Sequence, residues 1–184
     1  MLTENNIHHA ASNPNAFTEI YERYDQRVYQ YMRYRCNQNA EAQDLTAQVF
    51  ERVLVNLPHY KAGAAPFEAW LFRIAANVFT DWYRRQRRRN WLPWNFLNRQ
   101  AALDPHPEEL LIRSENHVAL QSALESLNQR EREVIGLRFG ARLTNRQIAA
   151  FCEISEQNTA IIIYRALKKL KGCLQMVDAE VKHE

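Results

Sequence analysis

Residues 66–89 read PFEAWLFRIAANVFTDWYRRQRRR, and this stretch decides the fold that we predict for the whole chain. Its apolar residues recur at steps of three and four, the spacing of one buried stripe along an α-helix. They are Phe67, Trp70, Leu71, Ile74, Ala75, Val78 and Trp82. Pro66 suits the first helical position, where its missing N–H costs nothing. We therefore predict a long helix with one buried face and one polar face.

The polar face of this predicted helix is basic. It carries, at helical spacing, Arg73, Asn77, Asp81, Arg84 and Arg88. At its C-terminal end the arginines Arg84, Arg85, Arg87, Arg88 and Arg89 lie beside the aromatic residues Trp82, Tyr83 and Trp91. Two or three cations would be enough to complement the helix dipole, so this larger cluster indicates contact with phosphates and unstacked bases. The stretch by itself favours a nucleic-acid-binding protein.

The composition predicts an all-helical protein. The chain has 184 residues, of which 46% are hydrophobic, enough for one ordinary domain or two small ones with packed cores. It contains only four glycines and few alternating apolar runs, so no β-sheet is expected. The net charge is only +3, which means that the basic character is local.

Cysteine and histidine usage argues against metal sites and disulfides. Cys36, Cys152 and Cys173 are far apart, odd in number and without CxxC spacing, so we expect reduced, structural thiols. His8 and His9 stand in a polar tail with no partner motif. This tail has no apolar core of signal-peptide length, and no stretch of the chain approaches a membrane span. We therefore expect a cytoplasmic protein with no metal site and no membrane insertion.

The first domain is predicted to be a three-helix bundle over residues 15–89, after a flexible tail at residues 1–14. One helix ends at Arg35, and a second follows the predicted N-cap Asn39 and stops before Pro58. The apolar side of the second helix is Ala42, Leu45, Val49, Phe50, Val53, Leu54 and Leu57. Three amphipathic helices of this length can cover one another's apolar faces, which makes the bundle a compact unit.

Residues 90–113 are predicted to be a linker, because three prolines prevent a continuous helix. These prolines are Pro93, Pro105 and Pro107. The segment is nevertheless too apolar for a free spacer. Its residues Trp91, Leu92, Trp94, Phe96 and Leu97 need cover, which we expect from the chain's own first domain.

A second helical domain is predicted over residues 114–174, followed by a tail at residues 175–184. Capping boxes, in which a small polar residue is followed three positions later by Glu or Gln, begin at Asn128 and at Thr144. The helix after Asn128 is expected to end at Gly140.

The end of this domain has the pattern of a helix-turn-helix. The short turn Cys152–Ile154 separates the helix after Thr144 from a longer helix that Ser155 caps. A helix-turn-helix places its second helix in a major groove of DNA. The basic residues around it are Arg142, Arg146, Arg165, Lys168, Lys169 and Lys171, the footprint that phosphate contacts need.

This order of elements resembles the extracytoplasmic-function (ECF) sigma factors of bacterial RNA polymerase, over roughly residues 17–174. The segment AQDLTAQVFERV is similar to the family's polymerase-binding helix, and FEAWLFRIAANVFTDWYRRQRRR is similar to its promoter-melting segment. The segment LNQREREVIGLRFGARLTNRQIAAFCEISEQNTAIIIYRALKKL is similar to the family's fourth region. The resemblance implies a protein without catalytic residues that binds core RNA polymerase, recognises minus-thirty-five and minus-ten elements of promoter DNA, and melts the duplex. It also implies an anti-sigma factor as a partner, and it implies no cofactor.

The resemblance assigns roles to three sets of residues. Those implied to bind polymerase are Gln43, Asp44, Leu45, Gln48 and Phe50. Those implied to bind the minus-ten element, as duplex and as single strand, are Asn77, Asp81, Trp82, Tyr83, Arg84, Arg85 and Arg88. Those implied to bind the minus-thirty-five element are Arg142, Thr144, Arg146, Gln157, Asn158, Ile161, Arg165 and Lys168.

The chain also departs from the family pattern. Ala47 and Gln48 stand where the family commonly has Gln-Glu, so the chain has one acidic group fewer for polymerase and lower affinity is expected. The recognition helix usually has Thr, Lys, Ser and Arg near its start, and this chain has Asn158, Ala160, Ile161 and Ile162 there. Phosphate anchoring is therefore reduced, and Ile161 could contact a protein instead. Trp82 lies near the apolar stripe and is interpreted as a core residue rather than a stacking surface.

Two other function classes remain open from the sequence. A sigma mimic would sequester an anti-sigma factor without supporting transcription, although it has no use for the arginine cluster. A helix-turn-helix regulator acting without polymerase would leave the first bundle unexplained. An enzyme is not expected, because Asp44, Glu51 and Asp81 lie on separate faces and no metal-ligand spacing, phosphate loop or nucleophile motif is present.

Overall fold

The computed structural model describes residues 14–36, 38–61, 63, 65–91 and 120–181, and every regular element in these ranges is helical. The first group of helices is α1 (Pro14–Arg35), α2 (Asn39–Asn56), a 3₁₀ turn (Leu57–His59) and α3 (Phe67–Trp91). The second group is α4 (residues 120–125), α5 (Gln129–Ile135), a π-helical turn (Gly136–Gly140), α6 (Asn145–Cys152) and α7 (Glu156–Val181). The all-helical prediction is confirmed. Most of the predicted N-terminal tail and of the predicted linker lies outside the described residues. The first two residues of the predicted linker, 90 and 91, belong to α3, which therefore ends two residues later than predicted.

The first three helices form the predicted bundle around the apolar stripe of α3. Leu71, Ala75 and Val78 of that stripe are fully buried, and Trp70, Ile74 and Trp82 pack half-buried at its edges. The prediction for Leu54 is wrong, since its side chain is 49% exposed. The buried stripe of α2 runs through Val49 and Val53 to Leu57, and Leu54 lies one position beyond it.

Two predicted helix starts are displaced by one residue. The N-cap of α2 is Gln38, with extended backbone angles of −109° and 140° and no side-chain cap, whereas Asn39 is already helical. The helix α3 begins at Phe67, and the carbonyl of Pro66 accepts the first helical hydrogen bond from Trp70 N at 3.2 Å. Pro66 therefore stands immediately before the first helical position.

The caps predicted in the second domain are confirmed. Asn128 Oδ1 accepts from Glu131 N, and Glu131 Oε2 accepts from Asn128 N, each at 2.9 Å. Thr144 and Gln147 form the same reciprocal pair, with distances of 2.8 and 3.3 Å. Ser155 Oγ accepts from the backbone N–H of the third residue of α7 at 3.1 Å. These local patterns decide where α5, α6 and α7 begin.

The predicted helix from Asn128 to Gly140 is a shorter α-helix followed by a wider turn. The α-helix ends at Ile135, and the backbone then forms the π-helical turn, in which Ala141 N–H donates to Gly136 O at 2.9 Å. The wider turn packs against α1, a tertiary contact that the local sequence pattern does not encode.

The two domains pack directly against each other. The π-helical turn rests on α1 so closely that a Cβ on Gly140 would lie 2.5 Å from the backbone nitrogen of Tyr31. Arg27 Nε of α1 donates to the carbonyl of Ala141 at 3.0 Å, and the Arg73 guanidinium of α3 lies 4.4 Å from the centre of the Phe151 ring. The core of the first domain continues into the second through Val134, Leu137, Ala141, Leu143, Ile148 and Phe151. This apolar core therefore spans both domains, and the second domain also has a smaller cluster of its own around Leu124, Ile135 and Leu170.

Candidate nucleic-acid and polymerase interfaces

The arginine cluster lies at the C-terminal end of α3. Arg84, Arg85, Arg87 and Arg88 are exposed. Arg85 Nε donates to the backbone carbonyl of Asp81 at 3.3 Å, and within the described ranges none of these four arginines forms an ion pair with a carboxylate. Exposed guanidinium groups without carboxylate partners are available to neutralise phosphates.

The preceding turns of α3 carry the two candidates for contacts with base edges. Asn77 is exposed. Asp81 Oδ2 accepts from Arg52 Nη1 of α2 at 3.0 Å. Both side chains are nearly half exposed, so this ion pair contributes at most about 1 kcal/mol to stability. Its main effect is to hold a further arginine beside the cluster. Arg52 was not among the predicted site residues, because only the packing of α2 on α3 makes the two side chains neighbours.

The two aromatic candidates on α3 are half-buried. Trp82 and Tyr83 both pack on Phe79, with ring centres 5.4 and 6.1 Å apart respectively, and both lie against the core. This packing agrees with the interpretation of Trp82 as a core residue. Tyr83 also lines a cavity of about 200 Å³ between the domains, together with Arg35, Phe79, Leu127, Gln129 and Arg132. Its ring thus lies at the boundary between the two domains.

The candidate polymerase-binding residues of α2 divide into exposed and buried groups. Gln43 and Asp44 are exposed and Gln48 is half-buried, whereas Leu45 and Phe50 are buried in the core. Direct contact of Leu45 and Phe50 with a partner is therefore not possible in this arrangement, and they act by holding the helix in place. This follows because the side chains of Leu45 and Phe50 belong to the buried stripe of α2.

An exposed apolar patch on the same part of the bundle was not predicted from the sequence. Leu54 and Val55 at the end of α2 are exposed, as is Tyr21 of α1, whose ring lies 4.7 Å from that of Phe50. Because Leu54 was expected in the core, the periodic pattern concealed this patch. Only the structure identifies the patch, because it shows that the side chains of Leu54, Val55 and Tyr21 are exposed.

The helix-turn-helix is formed by α6 and α7, as predicted. Glu153, in the left-handed region with φ of 56°, makes the sharp turn between them. All eight candidate minus-thirty-five residues are at least partly accessible, and Thr144 also uses its hydroxyl in the capping box. At 100° per residue, the five on α7 lie within about 60° of Ile161 around the helix axis. They are Gln157, Asn158, Ile161, Arg165 and Lys168.

An ion pair joins α7 to the start of α5. Lys169 Nζ donates to both carboxylate oxygens of Glu131, at 2.8 and 2.9 Å. Burial would raise the pKa of this carboxyl, but the hydrogen bonds from Lys169 and from the Asn128 N–H outweigh it and lower the pKa. The same carboxylate therefore caps α5 and holds α7 against it.

The part of the chain that the structure describes contains no metal-binding cluster and no membrane-spanning helix. No group of three His, Cys, Asp or Glu side chains there could hold a metal ion, and no helix there is long and apolar enough to cross a membrane. The three cysteines are free thiols, and Cys36 Sγ donates to the carbonyl of Met32 at 3.0 Å.

Comparison with known proteins identifies the family of both domains. Residues 20–89 match the family model of sigma-70 region 2, and residues 123–172 match that of sigma-70 region 4. The chain is 30% identical over 169 residues to the ECF RNA polymerase sigma factor SigX of Bacillus subtilis, an alignment that covers 90% of this chain and 87% of SigX.

The chain is also similar to a longer relative and to a solved structure. The chain is 29% identical over 164 residues to the ECF RNA polymerase sigma factor BldN of Streptomyces coelicolor, covering 89% of this chain and 62% of BldN, less than two thirds of that protein. Its fold is similar to that of the sigma factor RpoE in complex with the anti-sigma factor NepR from Bartonella quintana, with a TM-score of 0.69, 19% identity, and coverage of 86% of this chain and 96% of RpoE. The chain belongs to the sigma-70 family, as an ECF sigma factor.

Proposed function

We propose that this chain binds core RNA polymerase and directs transcription initiation at promoters with a minus-thirty-five and a minus-ten element. The observation that carries the proposal is the set of exposed arginines at the end of α3, in a domain of sigma-70 region 2. The chain's contribution is binding and positioning, and the bond chemistry belongs to polymerase. The proposed place of action is the cytoplasm, where polymerase and promoters are.

The end of α3 is proposed to hold the melted minus-ten element. Extruding a base costs a few kcal/mol of stacking, which a protein must return through edge hydrogen bonds and stacking. Asn77 is exposed and can bond a base edge, and Arg84, Arg85 and Arg88 are placed to neutralise the strand's phosphates. Tyr83 can offer its ring once the second domain no longer lies beside it.

The helix-turn-helix is proposed to hold the minus-thirty-five duplex. Arg142 and Arg146 precede and open α6, and Arg165 and Lys168 follow the first turns of α7. In this motif the start of the second helix enters the major groove while flanking cations contact the backbone. This arrangement supports base contacts from α7 between two sets of phosphate contacts.

The exposed side of α2 is proposed to bind polymerase. Asp44 is exposed and can pair with a basic surface, and Gln43 lies beside it. The apolar residues Leu54 and Val55 lie about three turns further along α2 and can supply the apolar contact that charged groups alone do not. The chain lacks the affinity for polymerase that an acidic residue in place of Gln48 would supply. Apolar contacts made by Leu54 and Val55 would compensate for part of that loss.

Control by an anti-sigma factor is proposed as a second property. The favouring observation is that apolar side chains lie exposed on both domains, including Val55 on α2 and Tyr164 on α7. A protein that covered either surface would compete with polymerase or with DNA.

Run-off transcription with purified core polymerase over a promoter library tests the main proposal. Sequence-specific transcripts that require this chain are expected. The triple variant R84A/R85A/R88A should bind core normally and form promoter complexes more weakly. Its log-log salt dependence should be less steep by roughly 2 to 3, because each phosphate contact that is removed takes about 0.7 to 0.9 from the slope.

The matched control is Arg23→Ala on α1, an exposed arginine that belongs to neither set of proposed DNA-binding residues. It should leave the salt dependence unchanged. An unchanged slope in the triple variant would remove the cluster from the path of DNA. Failure of the wild-type chain to bind core would overturn the whole proposal.

A further inference from the structure

The outward face of α7 has an unusual composition for a helix that enters a major groove. It is centred on Ile161, which is 41% exposed, with Gln157, Asn158 and Tyr164 on the same side. The opposite side of α7 packs into the domain through Thr159, Ala166 and Leu170. The exposed face is therefore set by the fold, and no residue of the described chain covers it.

The base-reading part of this face contains no cation. Residues 156–164 read EQNTAIIIY, without arginine or lysine. The first cation of α7 is Arg165, in the third turn, and the cations before the helix are Arg142 and Arg146. Glu156 is the single charged residue of the stretch and lies about 140° around the helix from Ile161. The turns that would reach base edges are thus neutral, and the cations flank them.

The groups on the edges of DNA bases predict which DNA sequence the exposed face of α7 prefers. Arginine and lysine read guanine through O6 and N7, asparagine and glutamine read adenine through N6 and N7, and apolar side chains contact the C5-methyl of thymine. We infer that the upstream element of this chain is read mainly at A·T pairs, with Ile161 against a thymine methyl and Gln157 and Asn158 bonding adenine. This inference rests on the proposed function and specifies its substrate.

Duplex DNA fits the apolar face better than a protein partner does. The face is bounded by exposed cations, namely Arg142, Arg146, Arg165, Lys168 and Lys171. Thymine methyls in a major groove lie between two rows of phosphates, so apolar contacts at the centre and cations at the rim match that arrangement. The positive charge is thus complementary to the rim of a groove.

The experiment uses the full chain with core polymerase and a promoter library randomised only in the upstream element. Selected elements are expected to be rich in A·T pairs. Each thymine of the selected element is then replaced by deoxyuridine, which removes only the C5-methyl. Loss of one methyl contact should weaken wild-type promoter binding about fourfold at one position. The variant Ile161→Ala should bind the thymine and deoxyuridine promoters equally.

The matched control is Leu167→Ala, since Leu167 is 42% exposed on the same helix but lies about 120° from Ile161. It should retain the fourfold difference between thymine and deoxyuridine. Equal binding of both promoters by the wild type, or selection of G·C-rich elements, overturns the inference while transcription continues. The apolar face would then belong to a protein partner. Absence of any core binding overturns the inference together with the proposed function.

Discussion

Tyr31 lies at the contact between the two domains and packs against residues of both. Its side chain is fully buried, its ring makes an edge contact with Phe72 at 5.7 Å, and its hydroxyl accepts a hydrogen bond from Arg35. On the other side, Gly136 and Gly140 lie directly against it. Two glycines four residues apart occupy one side of a helical turn, so the GLRFG sequence contained the signal for a close approach. The residue that makes this approach is far away in sequence.

Burial of Tyr31 and Cys36 predicts that the protein loses stability at alkaline pH. Burial raises the pKa of the Cys36 thiol from 9.0 to about 12 and that of the Tyr31 hydroxyl from 10.0 to about 12. Between these values the unfolded chain releases protons that the folded chain retains. The free energy of unfolding should therefore fall above pH 9, by up to about 1.4 kcal/mol per pH unit for each group.

Urea unfolding from pH 7.5 to pH 10.5 measures this loss. The variant Cys36→Ala should show a smaller decrease between pH 9 and 10, because over this range the Cys36 thiol is the more ionised of the two groups in the unfolded chain. The comparison is between slopes, so stability lost to the smaller side chain does not enter. A wild-type stability that stays level across the whole range would contradict the prediction.

At the scale of the element, the capping box of α5 connects local sequence to tertiary structure. Asn128 and Glu131 are three residues apart and cap each other, which any chain with this pattern can do. The carboxylate of Glu131 also accepts from Lys169 on α7, 38 residues later. The start of one helix therefore helps to position the recognition helix.

We expect Asn128→Ala to destabilise the protein by about 1 kcal/mol, because the backbone N–H of Glu131 loses its acceptor, Asn128 Oδ1. Ser122→Ala on α4 is the control and should change stability by less than about 0.5 kcal/mol, since Ser122 is exposed. Because the pKa of Glu131 is lowered, its contribution to stability is present at neutral pH and is lost as the pH falls through that pKa. Thermal unfolding at pH 7 and pH 3 measures both effects. Equal losses for the two variants would disprove the role of the box.

The elements that sequence reasoning placed well are those with local causes. The caps at Asn128, Thr144 and Ser155 were predicted and are confirmed, since each depends on residues within three positions. The exposure of Leu54 and the π-helical turn at Gly136–Gly140 were not predicted. Both depend on which neighbouring helix covers a given side chain, and periodicity carries no information on that choice.

At the scale of the whole molecule, the packed arrangement is too small for a two-part promoter. Elements centred at minus-ten and minus-thirty-five are about 25 base pairs apart, which at 3.4 Å per pair is about 85 Å. A compact chain of this length has a radius of gyration of about 16 Å and a diameter of about 40 Å. We therefore expect the two domains to separate when the chain engages polymerase and DNA.

Gly140→Ala tests how the packed arrangement is held. The added Cβ would lie 2.5 Å from Tyr31 N and 2.7 Å from its Cα, which are backbone atoms that cannot rotate away. The two domains should separate or the protein should lose roughly 1 to 3 kcal/mol of stability. Gly172→Ala is the control, with nothing within 4 Å, and should stabilise α7 by about 1 kcal/mol.

Small-angle scattering and urea unfolding of both variants provide the measurements. A larger radius of gyration for Gly140→Ala alone would show that this contact holds the domains together. If Gly140→Ala kept the wild-type radius of gyration and stability, the close approach of the π-helical turn to α1 would not exist in solution.

The sequence by itself determined the helices, the caps, the two domains and the resemblance that names the family, because these follow from residues close together in the chain. The order of cations and apolar residues along α7 was likewise present in the sequence. Only the tertiary structure decided that Arg52 pairs with Asp81, that Leu54 is left exposed, and that an apolar core spans both domains. These contacts join residues that lie far apart in the chain, and their partners are chosen by packing, which no local pattern specifies.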